Sequence, residues 1–443
     1  MSFSHEQLYE RLSALASADA PTRFVVAFSG GLDSSVLLHA INIVQTQIAV
    51  PVLAVHIQHD LHADAAAWEA HCRSTATAMA INFESVRIEV ERDSGLGLEA
   101  AARNARYQAL QQIVLPGDWL LSAHHQDDQA ETLLLNLLRG SGMAGMAGIG
   151  VMQSFGRGTL VRPLLDVSRT DLQAYATLHG LAWLDDPSNE DSAFDRNFLR
   201  HGVLSDLAER WPAAASKLAR SAELASEASE LLDQLADDDL QVLGGPQRLE
   251  CAAFSKLSDA RQRNILRRAL KRAGLEAAPS TRLRQIIDEL LPARPDAEPL
   301  VCWSGVEVRR YRDSIYLMPA FPNLPHQTDH ALGAGTQTID LGHFGRLRLV
   351  GSGPAGIRSD VIDCGLDIRF RAGGEEIRPS GHECTHKLKK LLQQQGIVPW
   401  MRDKIPLLYS GERLVAVADL WVSAEYVDEN GLCVAWEDHP TLY

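Results

Sequence analysis

Over the first 210 residues or so, short apolar runs take turns with stretches whose apolar positions recur every three to four residues. Residues 24–28, 52–57, 82–90 and 119–123 read as strands. A helix starting near Ser34, an alanine-rich stretch at 63–80, and residues 98–114 and 128–139 read as helices. Strand and helix alternating at this spacing predict a parallel sheet covered by helices on both faces. Trp211 and Pro212 close the region. Residues 213–295 are helical by pattern, until Pro292, Pro295 and Pro299 break the repeat. A small hairpin is expected at 301–317. Residues 319–337 collect Pro, Gly, His and Asn and read as a linker. The remainder mixes short strands with one clear helix at 385–395. The expected architecture is α/β in three parts: a parallel-sheet domain at 1–213, a mostly helical middle domain at 214–322, and a linker with a small α+β domain at 323–443.

Composition narrows the class. A chain of 443 residues, 46 % hydrophobic and 22 % charged, is an ordinary multidomain globular protein. No run approaches the roughly 18 to 20 apolar residues that cross a bilayer. Residues 1–11 are polar and lack the apolar core of a secretion signal, so a cytoplasmic protein is expected. The six cysteines, at 72, 251, 302, 364, 384 and 433, form no CxxC pair. That argues against a zinc ribbon, a thioredoxin-like site or an iron–sulfur cluster. A net charge of −15 argues against wholesale nucleic-acid binding. The charge is uneven, however. Residues 222–240 carry seven acids and no base, and residues 256–272 carry seven bases against Asp259 alone. A local patch decides binding, not the sum.

The strongest chemical signal is Ser29-Gly30-Gly31-Leu32-Asp33-Ser34, set between a strand and a helix. Glycines let backbone approach a ligand, and the amides of a helix N-terminus attract an anion. The bland alternative is a glycine turn with a serine cap. The spacing is neither the dinucleotide fingerprint nor the lysine-bearing Walker loop. SGGxDS resembles the PP-loop of ATP pyrophosphatases, which split ATP into AMP and pyrophosphate. The resemblance implies that Ser29, Gly30, Gly31, Leu32, Asp33 and Ser34 bind ATP, with Asp33 beside magnesium. His56 and His59, at the next strand end, either line the nucleotide pocket or are polar residues ending a strand.

A second constellation, Ser122 to Thr132, reads SAHHQDDQAET at another strand-to-helix junction. Ligands collect beyond the carboxyl ends of parallel strands, so both segments are expected to face one crevice. Asp128 and Glu131 fit a capping box with Asp128 at the N-cap. A cap does not need two histidines and another aspartate beside it, and carboxylates here could bind a cationic amino acid or a metal. Arg103 and Arg106 share a helical face, and one of them aimed into the crevice would stabilise a phosphate being displaced.

Further segments follow in order: Glu99, Ala102-Arg103 and Arg106-Tyr107; Asp186-Pro187-Ser188-Asn189; Arg196-Asn197-Phe198-Leu199-Arg200; Arg369-Phe370-Arg371-Ala372-Gly373-Gly374; Lys387-Leu388-Lys389-Lys390-Leu391-Leu392-Gln393; and Pro399-Trp400. With the two junctions they resemble the tRNA(Ile)-lysidine synthetase family over nearly the whole chain. The resemblance implies a Rossmann-like N-terminal sheet of the PP-loop, or adenine nucleotide alpha hydrolase, type. It implies ATP and Mg2+ as cofactors, with free L-lysine and a minor isoleucine tRNA of anticodon CAU as partners. Neither a membrane nor an obligate protein partner is implied. The wobble cytidine would be adenylated and then attacked by lysine, so that the tRNA reads AUA. Asp33 would orient ATP and magnesium, and Arg103 would stabilise the phosphoryl charge. Asp128 and Glu131 would bind lysine, and Asp128 counts with Asp33 and Arg103 as catalytic. Arg196, Asn197 and Arg200, with Arg371, Lys387, Lys389 and Lys390, would contact tRNA. The basic run at 256–272 either joins them or is a solvated face.

Three other readings fit less well. A 2-thiolation enzyme of the same class would carry CxxC pairs. A small-molecule ligase would leave the basic C-terminal segment without a job. A tRNA-binding protein without catalysis would not need both junctions intact.

Overall fold

The computed structural model describes residues 3–17, 20–59, 65–89, 98–185, 195–294, 297–322, 327–333 and 335–442. Asp186 to Asn189 and part of the expected linker therefore lie outside the described residues. The chain divides into two units, Met1–Leu232 and Asp233–Tyr443.

In the first unit, helix α1 (His5–Ala16) precedes strand β1 (Arg23–Ala27), whose Phe24, Val25 and Val26 are all fully buried. Successive strand side chains point to opposite faces. Phe24 and Val26 thus enter one core layer with Val36, Leu37 and Ile41 of α2 (Leu32–Ile48). Val25 enters the other with Val55, Leu110 and Leu120. A strand apolar on both faces has to be covered on both, which is the condition of a parallel α/β sheet. Strands β2 (Val52–His59), β3 (Asn82–Ile88) and β4 (Asp118–Leu121) alternate with α3 (Ala65–Ala78) and α4 (Leu98–Ile113), within a few residues of the expected bounds. Helix α5 (Gln126–Leu138) follows β4.

Two more strands, β5 (Met152–Phe155) and β6 (Gly158–Val161), complete the order β3-β2-β1-β4-β6-β5. All neighbours are parallel except β5 and β6. Each of the two is four residues long, and β5 is exposed at three positions, so no apolar alternation announced them. From β1 the chain moves outward through β2 and β3, then returns to β4 on the other side. The order reverses between β1 and β4, where the loops diverge and leave a crevice.

The opposite end of that strand pair is pinned by charge. Arg23 and Asp118 face each other in the register, and the guanidinium lies 2.5 Å from the carboxylate. Asp118 is almost wholly buried and also accepts from Thr22 Oγ1 at 3.2 Å and Leu115 N at 2.9 Å.

The unit continues through α6 (Met143–Met146), α7 (Arg169–Leu178) and α8 (Asp195–Phe198). Helix α8 runs into a π-helical turn, Leu199–Val203, then α9 (Leu204–Arg210). The boundary between units falls inside α10 (Ala214–Leu243).

In the second unit, α11 (Cys251–Phe254), α12 (Asp259–Arg272) and α13 (Ser280–Gln285) pack on one face of an antiparallel sheet. Its strands are β7 (Arg248–Glu250), β8 (Leu300–Trp303), β9 (Val306–Tyr311) and β10 (Ser314–Pro319), in the order β7-β10-β9-β8. The expected hairpin at 301–317 is thus three strands, β8 to β10, of a four-stranded sheet. The basic run also finds a partner here. Arg268 lies 2.6 Å from both Asp233 and Asp237 of α10, Lys271 3.0 Å from Asp233, and Arg272 3.1 Å from Asp237, while Arg261 pairs with Asp239. The hydrogen bond from Arg268 holds the Asp237 carboxyl down to about 2. Four of the seven cations offered as tRNA contacts are therefore committed to the acidic run that precedes them.

The C-terminal part is built from short strands around a separate core centred on Ile368, Leu408 and Val417. One sheet joins β11 (Gln327–Leu332), β14 (Leu366–Phe370), β17 (Pro406–Ser410), β18 (Arg413–Val417) and β19 (Trp421–Val422). A second joins β12 (Thr338–Asp340), β13 (Arg346–Ile357), β20 (Val427–Asp428) and β21 (Leu432–Glu437). Helices α14 (Ser359–Asp363), α15 (Leu388–Gln394) and α16 (Pro399–Arg402), with the pair β15 (Glu376–Ile377) and β16 (His386–Lys387), complete it. Strand β11 lies inside the stretch that composition assigned to a linker. It is ordered by pairing with β14, a long-range cause that local composition does not carry. Among the described residues, no helix is long and apolar enough to cross a membrane.

Replacing Arg23 by Met should lower stability by about 2 to 3 kcal/mol, because a buried carboxylate loses its cation but keeps two donors. Urea unfolding at neutral pH measures this. A loss below about 0.5 kcal/mol would mean that the pair does not hold β1 to β4.

Candidate active site

The loop between β1 and α2 is shaped by glycine. Gly30 has φ +85°, and a Cβ there would lie 2.8 Å from Cys72 Sγ. Its carbonyl accepts from Leu184 N at 2.9 Å, which fixes the turn. Gly31 is the N-cap of α2 and offers no side-chain acceptor, so the first amides of the helix stay available to an anion. The hydroxyls of Ser29 and Ser34 stand 3.0 Å apart, and Ser34 donates to Gly31 O at 3.0 Å. Leu32 opens the helix and is buried in the core beneath it. The backbone on the β1 side is tied down by His56, whose buried Nδ1 lies 3.0 Å from Phe28 O. That is the role of a strand-end tether. The side chain of His59 lies outside the described residues.

Across the crevice, α5 begins differently from expectation. His125, not Asp128, is the N-cap. Its Nδ1 accepts from Asp127 N at 3.3 Å, and Asp128 reaches back to accept from His125 N at 3.0 Å. The box is thus shifted three residues toward the N-terminus, because a histidine fills a place usually held by Ser, Thr, Asp or Asn. This frees Glu131 from capping.

His125 is the hub of the acids. It is almost fully buried, with Nε2 3.6 Å from Asp33 and 3.5 Å from Asp128, and Nδ1 3.4 Å from Asp127. Burial opposes its protonation, but the three carboxylates outweigh that and raise its pKa. Burial also raises the pKa of Asp33, with His125 opposing. For Asp128 burial pulls upward, yet His125 and His124 bring the net shift downward.

Glu131 has no exposed side-chain surface. Arg200 donates Nε to it at 2.6 Å and one terminal nitrogen at 3.2 Å, and the same nitrogen reaches Asp128 at 3.1 Å. Arg196 stands 3.4 Å from Glu131 and 3.3 Å from Thr132 Oγ1. Burial still raises the Glu131 pKa against the pull of Arg200. The structure therefore brings together two groups that the sequence assigned to different substrates: Asp128 and Glu131 for lysine, Arg196 and Arg200 for tRNA. Asn197 lies between the arginines on α8, half-buried.

Arg103 is exposed on α4, with its guanidinium 4.9 Å from the Tyr107 ring centre and 3.2 Å from the hydroxyl. It is close enough to His124 to help depress it. Burial first, then Arg162, Arg196 and Arg103, hold His124 down to about 4 against Asp128. The ring is also hydrogen-bonded to Ser122. Sequence reasoning missed Arg162, a buried guanidinium just beyond β6 that donates to Gly150 O at 2.7 Å. A lone arginine before a proline carries no motif. Its place beyond a strand parallel to β4 is what brings it to the crevice.

In the second unit Arg371 is largely buried and pairs with Glu375 at 3.2 Å and Asp403 at 2.9 Å. Lys387, Lys389 and Lys390 are exposed and make no ion pair among the described residues.

ATP and magnesium are the groups the loop implies. Asp33 Oδ1 and Ser35 Oγ are buried polar atoms with no hydrogen-bond partner. An orphaned carboxylate oxygen at the N-terminus of α2 fits a hard cation that takes one or two carboxylates and completes its shell with phosphate and water. Among the described residues no group of three His, Cys, Asp or Glu is arranged to hold a metal by itself, which that mode of binding does not require.

A sheet that reverses order beside SGGxDS, with the loop feeding a helix N-terminus, defines the PP-loop class, and a PP-loop domain model matches residues 4–207. Models described as TilS substrate binding domain and TilS substrate C-terminal domain match residues 249–316 and 366–436. The tRNA(Ile)-lysidine synthase of Alkalilimnicola ehrlichii is 41 % identical, covering 98 % of this chain and 97 % of that one. The tRNA(Ile)-lysidine synthase of Coxiella burnetii is 38 % identical over 94 % and 92 %. The chain belongs to the tRNA(Ile)-lysidine synthase family. Among solved structures, a U34-tRNA thiolase from Methanococcus maripaludis aligns with TM-score 0.42 and 15 % identity, covering 50 % of this chain and 77 % of that one.

Two outcomes follow from this geometry. Gly30→Ala should weaken ATP binding at least about tenfold, measured by equilibrium dialysis, because the left-handed turn and the Cys72 contact both exclude a Cβ. Unchanged affinity would mean that the turn does not shape the site. His125→Asn keeps a capping side chain but removes the imidazole that draws the Asp33 pKa down. The Asp33 pKa should then rise further, and the acid limb of the pH–rate profile should move to higher pH. An acid limb that stays in place would exclude Asp33 as the group it reports.

Proposed function

We propose that the chain converts the wobble cytidine of a minor isoleucine tRNA with anticodon CAU to lysidine, using ATP and free L-lysine. The observation that carries this reading is the meeting, in one crevice, of the glycine loop with the carboxylates of Asp33, Asp128 and Glu131. It is supported by membership of a family whose named relatives are tRNA(Ile)-lysidine synthases. In this reading residues 1–213 are the catalytic domain, 214–322 the middle domain, and 323–443 a linker and tRNA-holding domain, in the cytoplasm and without an obligate protein partner.

Ser29, Gly30, Gly31, Leu32, Asp33 and Ser34 hold the triphosphate, with backbone amides and hydroxyls directed at the pyrophosphate. The oxygen on carbon-2 of the cytosine attacks the α-phosphorus, and the bond to pyrophosphate breaks. Magnesium, when bound at Asp33, neutralises charge on the phosphates. Arg103 stabilises the phosphoryl group during transfer. An amine of lysine then attacks carbon-2, loses its proton, and AMP leaves with the former base oxygen. Asp128 and Glu131 hold the ammonium groups of lysine, and Asp128, whose carboxyl stays ionised, is placed to take the proton. Arg196, Asn197 and Arg200 meet the anticodon arm, and Arg371, Lys387, Lys389 and Lys390 meet phosphates elsewhere on the tRNA.

The test is incorporation of radiolabelled lysine into a CAU isoleucine tRNA transcript, beside a transcript with U at the wobble position. Label should enter the first only, with AMP formed in equal amount, and Asp33→Ala should slow it by about two to three orders of magnitude. ATP split to AMP with no label in RNA would keep the PP-loop chemistry and exclude lysine or this tRNA as substrate.

A further inference from the structure

Among the described residues, the fold buries Arg162 against neutral partners. It is 5 % exposed. It donates to Gly150 O at 2.7 Å and to Gln153 Oε1 at 3.4 Å, and it hydrogen-bonds the Tyr107 hydroxyl. Its Nε is buried with no hydrogen-bond partner. A buried cation is costly unless a carboxylate faces it, and an apolar side chain would fill the same place at lower cost. Stability therefore does not account for the guanidinium. Tyr107 leads from Arg162 to Arg103. Its ring packs edge-on against Phe155 of β5, with centroids 5.6 Å apart. Its hydroxyl accepts from Arg103 at 3.2 Å, and the Arg103 guanidinium lies 4.9 Å from the ring centre. The two residues stand four apart on α4, the spacing that lets one side chain lie over the other. A phenol oxygen has two lone pairs, so it can accept from both arginines. Burial pushes the pKa of Arg162 down, Tyr107 opposes, and Arg103 adds to the downward pull, so the two cations repel across the phenol.

We propose that Arg162 is a positioning residue for the adenylation step, acting on Arg103 through Tyr107. The inference rests on the role given to Arg103 in the proposed function. Arg162 fixes the phenol from the sheet side, and the phenol holds Arg103 by its face and by its oxygen. Repulsion between the guanidiniums keeps Arg103 from folding back toward Arg162 and holds it on the side of His124, whose pKa it helps to depress. An exposed arginine would otherwise lose side-chain freedom each time it met a phosphate. A donor already in place needs no rearrangement when charge develops in the transition state, so the gain falls on the rate. An incoming phosphate also relieves the repulsion, and the pair favours an anion beside Arg103.

Single-turnover release of pyrophosphate by the full-length protein, with ATP, lysine and the CAU transcript, tests this in a double-mutant cycle. Arg162→Gln should slow release at saturating ATP at least about tenfold, while the ATP concentration for half-maximal rate changes by less than about twofold. Arg162→Lys, which keeps the charge, should recover part of the rate. Tyr107→Phe keeps the ring against Phe155 and removes only the shared oxygen. It should slow release about as much as Arg162→Gln, and this arm stands even if Arg162→Gln fails to fold. In an Arg103→Gln background both changes should cost less than about twofold, because the side chain they position is gone. A packing role would cost the same factor in either background, and that result would overturn the proposal. An unchanged rate at saturating ATP with a raised half-maximal concentration would overturn it too, by making Arg162 part of the ATP site. Arg103→Gln releasing pyrophosphate at the wild-type rate would overturn the role of Arg103 and the inference with it. No release by wild type would overturn the proposed function on which both rest.

Discussion

Val26 of β1 lies directly beside Leu121 of β4 in a parallel register. Two residues further on, both chains leave the sheet, one into the glycine loop and the other into the histidine pair. Because the strand order reverses between them, the loops turn toward opposite layers and the crevice stays open. Everything chemical in the first unit depends on this adjacency. Asp33 reaches His125 only because the helices that carry them start from neighbouring strands. The Arg23–Asp118 pair matters for the same reason, since it fixes the far end of the two strands whose near ends carry the site.

The crevice brings acids to a place that must also receive a polyanion, and its charges are divided accordingly. The α2 side presents the uncapped helix terminus and the serine hydroxyls. The α5 side gathers Asp127, Asp128 and Glu131, which are held by His125, Arg196 and Arg200. Asp33 stands at the seam, with one oxygen near His125 and the other without a partner. The two sides of the crevice thus differ in charge. The repulsion among carboxylates is met by cations already built into the wall.

What could be read beforehand follows physical range. The strands β1 to β4 and the helices between them were legible because β1 and β4 are continuous apolar runs buried on both faces and the other elements are long enough for their own pattern to show. Strands β5, β6 and β7 are three or four residues long and exist through pairing, as does β11, so no local pattern marked them. At the site, the loop and the acids were legible as residue types at fixed spacing. Their partners were not. That His125 caps α5, and that Arg200 lies on Glu131 sixty-nine positions away, are facts of tertiary contact. A sequence shows which side chains have charge and leaves open which of them will meet.

The same distinction separates the two runs of positive charge. In α12 the cations are chiefly arginines, and they lie opposite a run of aspartates on α10. Arg371 is likewise bound by Glu375 and Asp403. A planar guanidinium is weakly hydrated and loses little freedom per hydrogen bond, so it settles onto carboxylates within its own chain. The ammonium of lysine is more strongly hydrated, and Lys387, Lys389 and Lys390 stay exposed, although Lys271 pairs with Asp233. Lys387, Lys389 and Lys390 at the start of α15 are thus exposed, whereas Arg371 is held by carboxylates of its own chain.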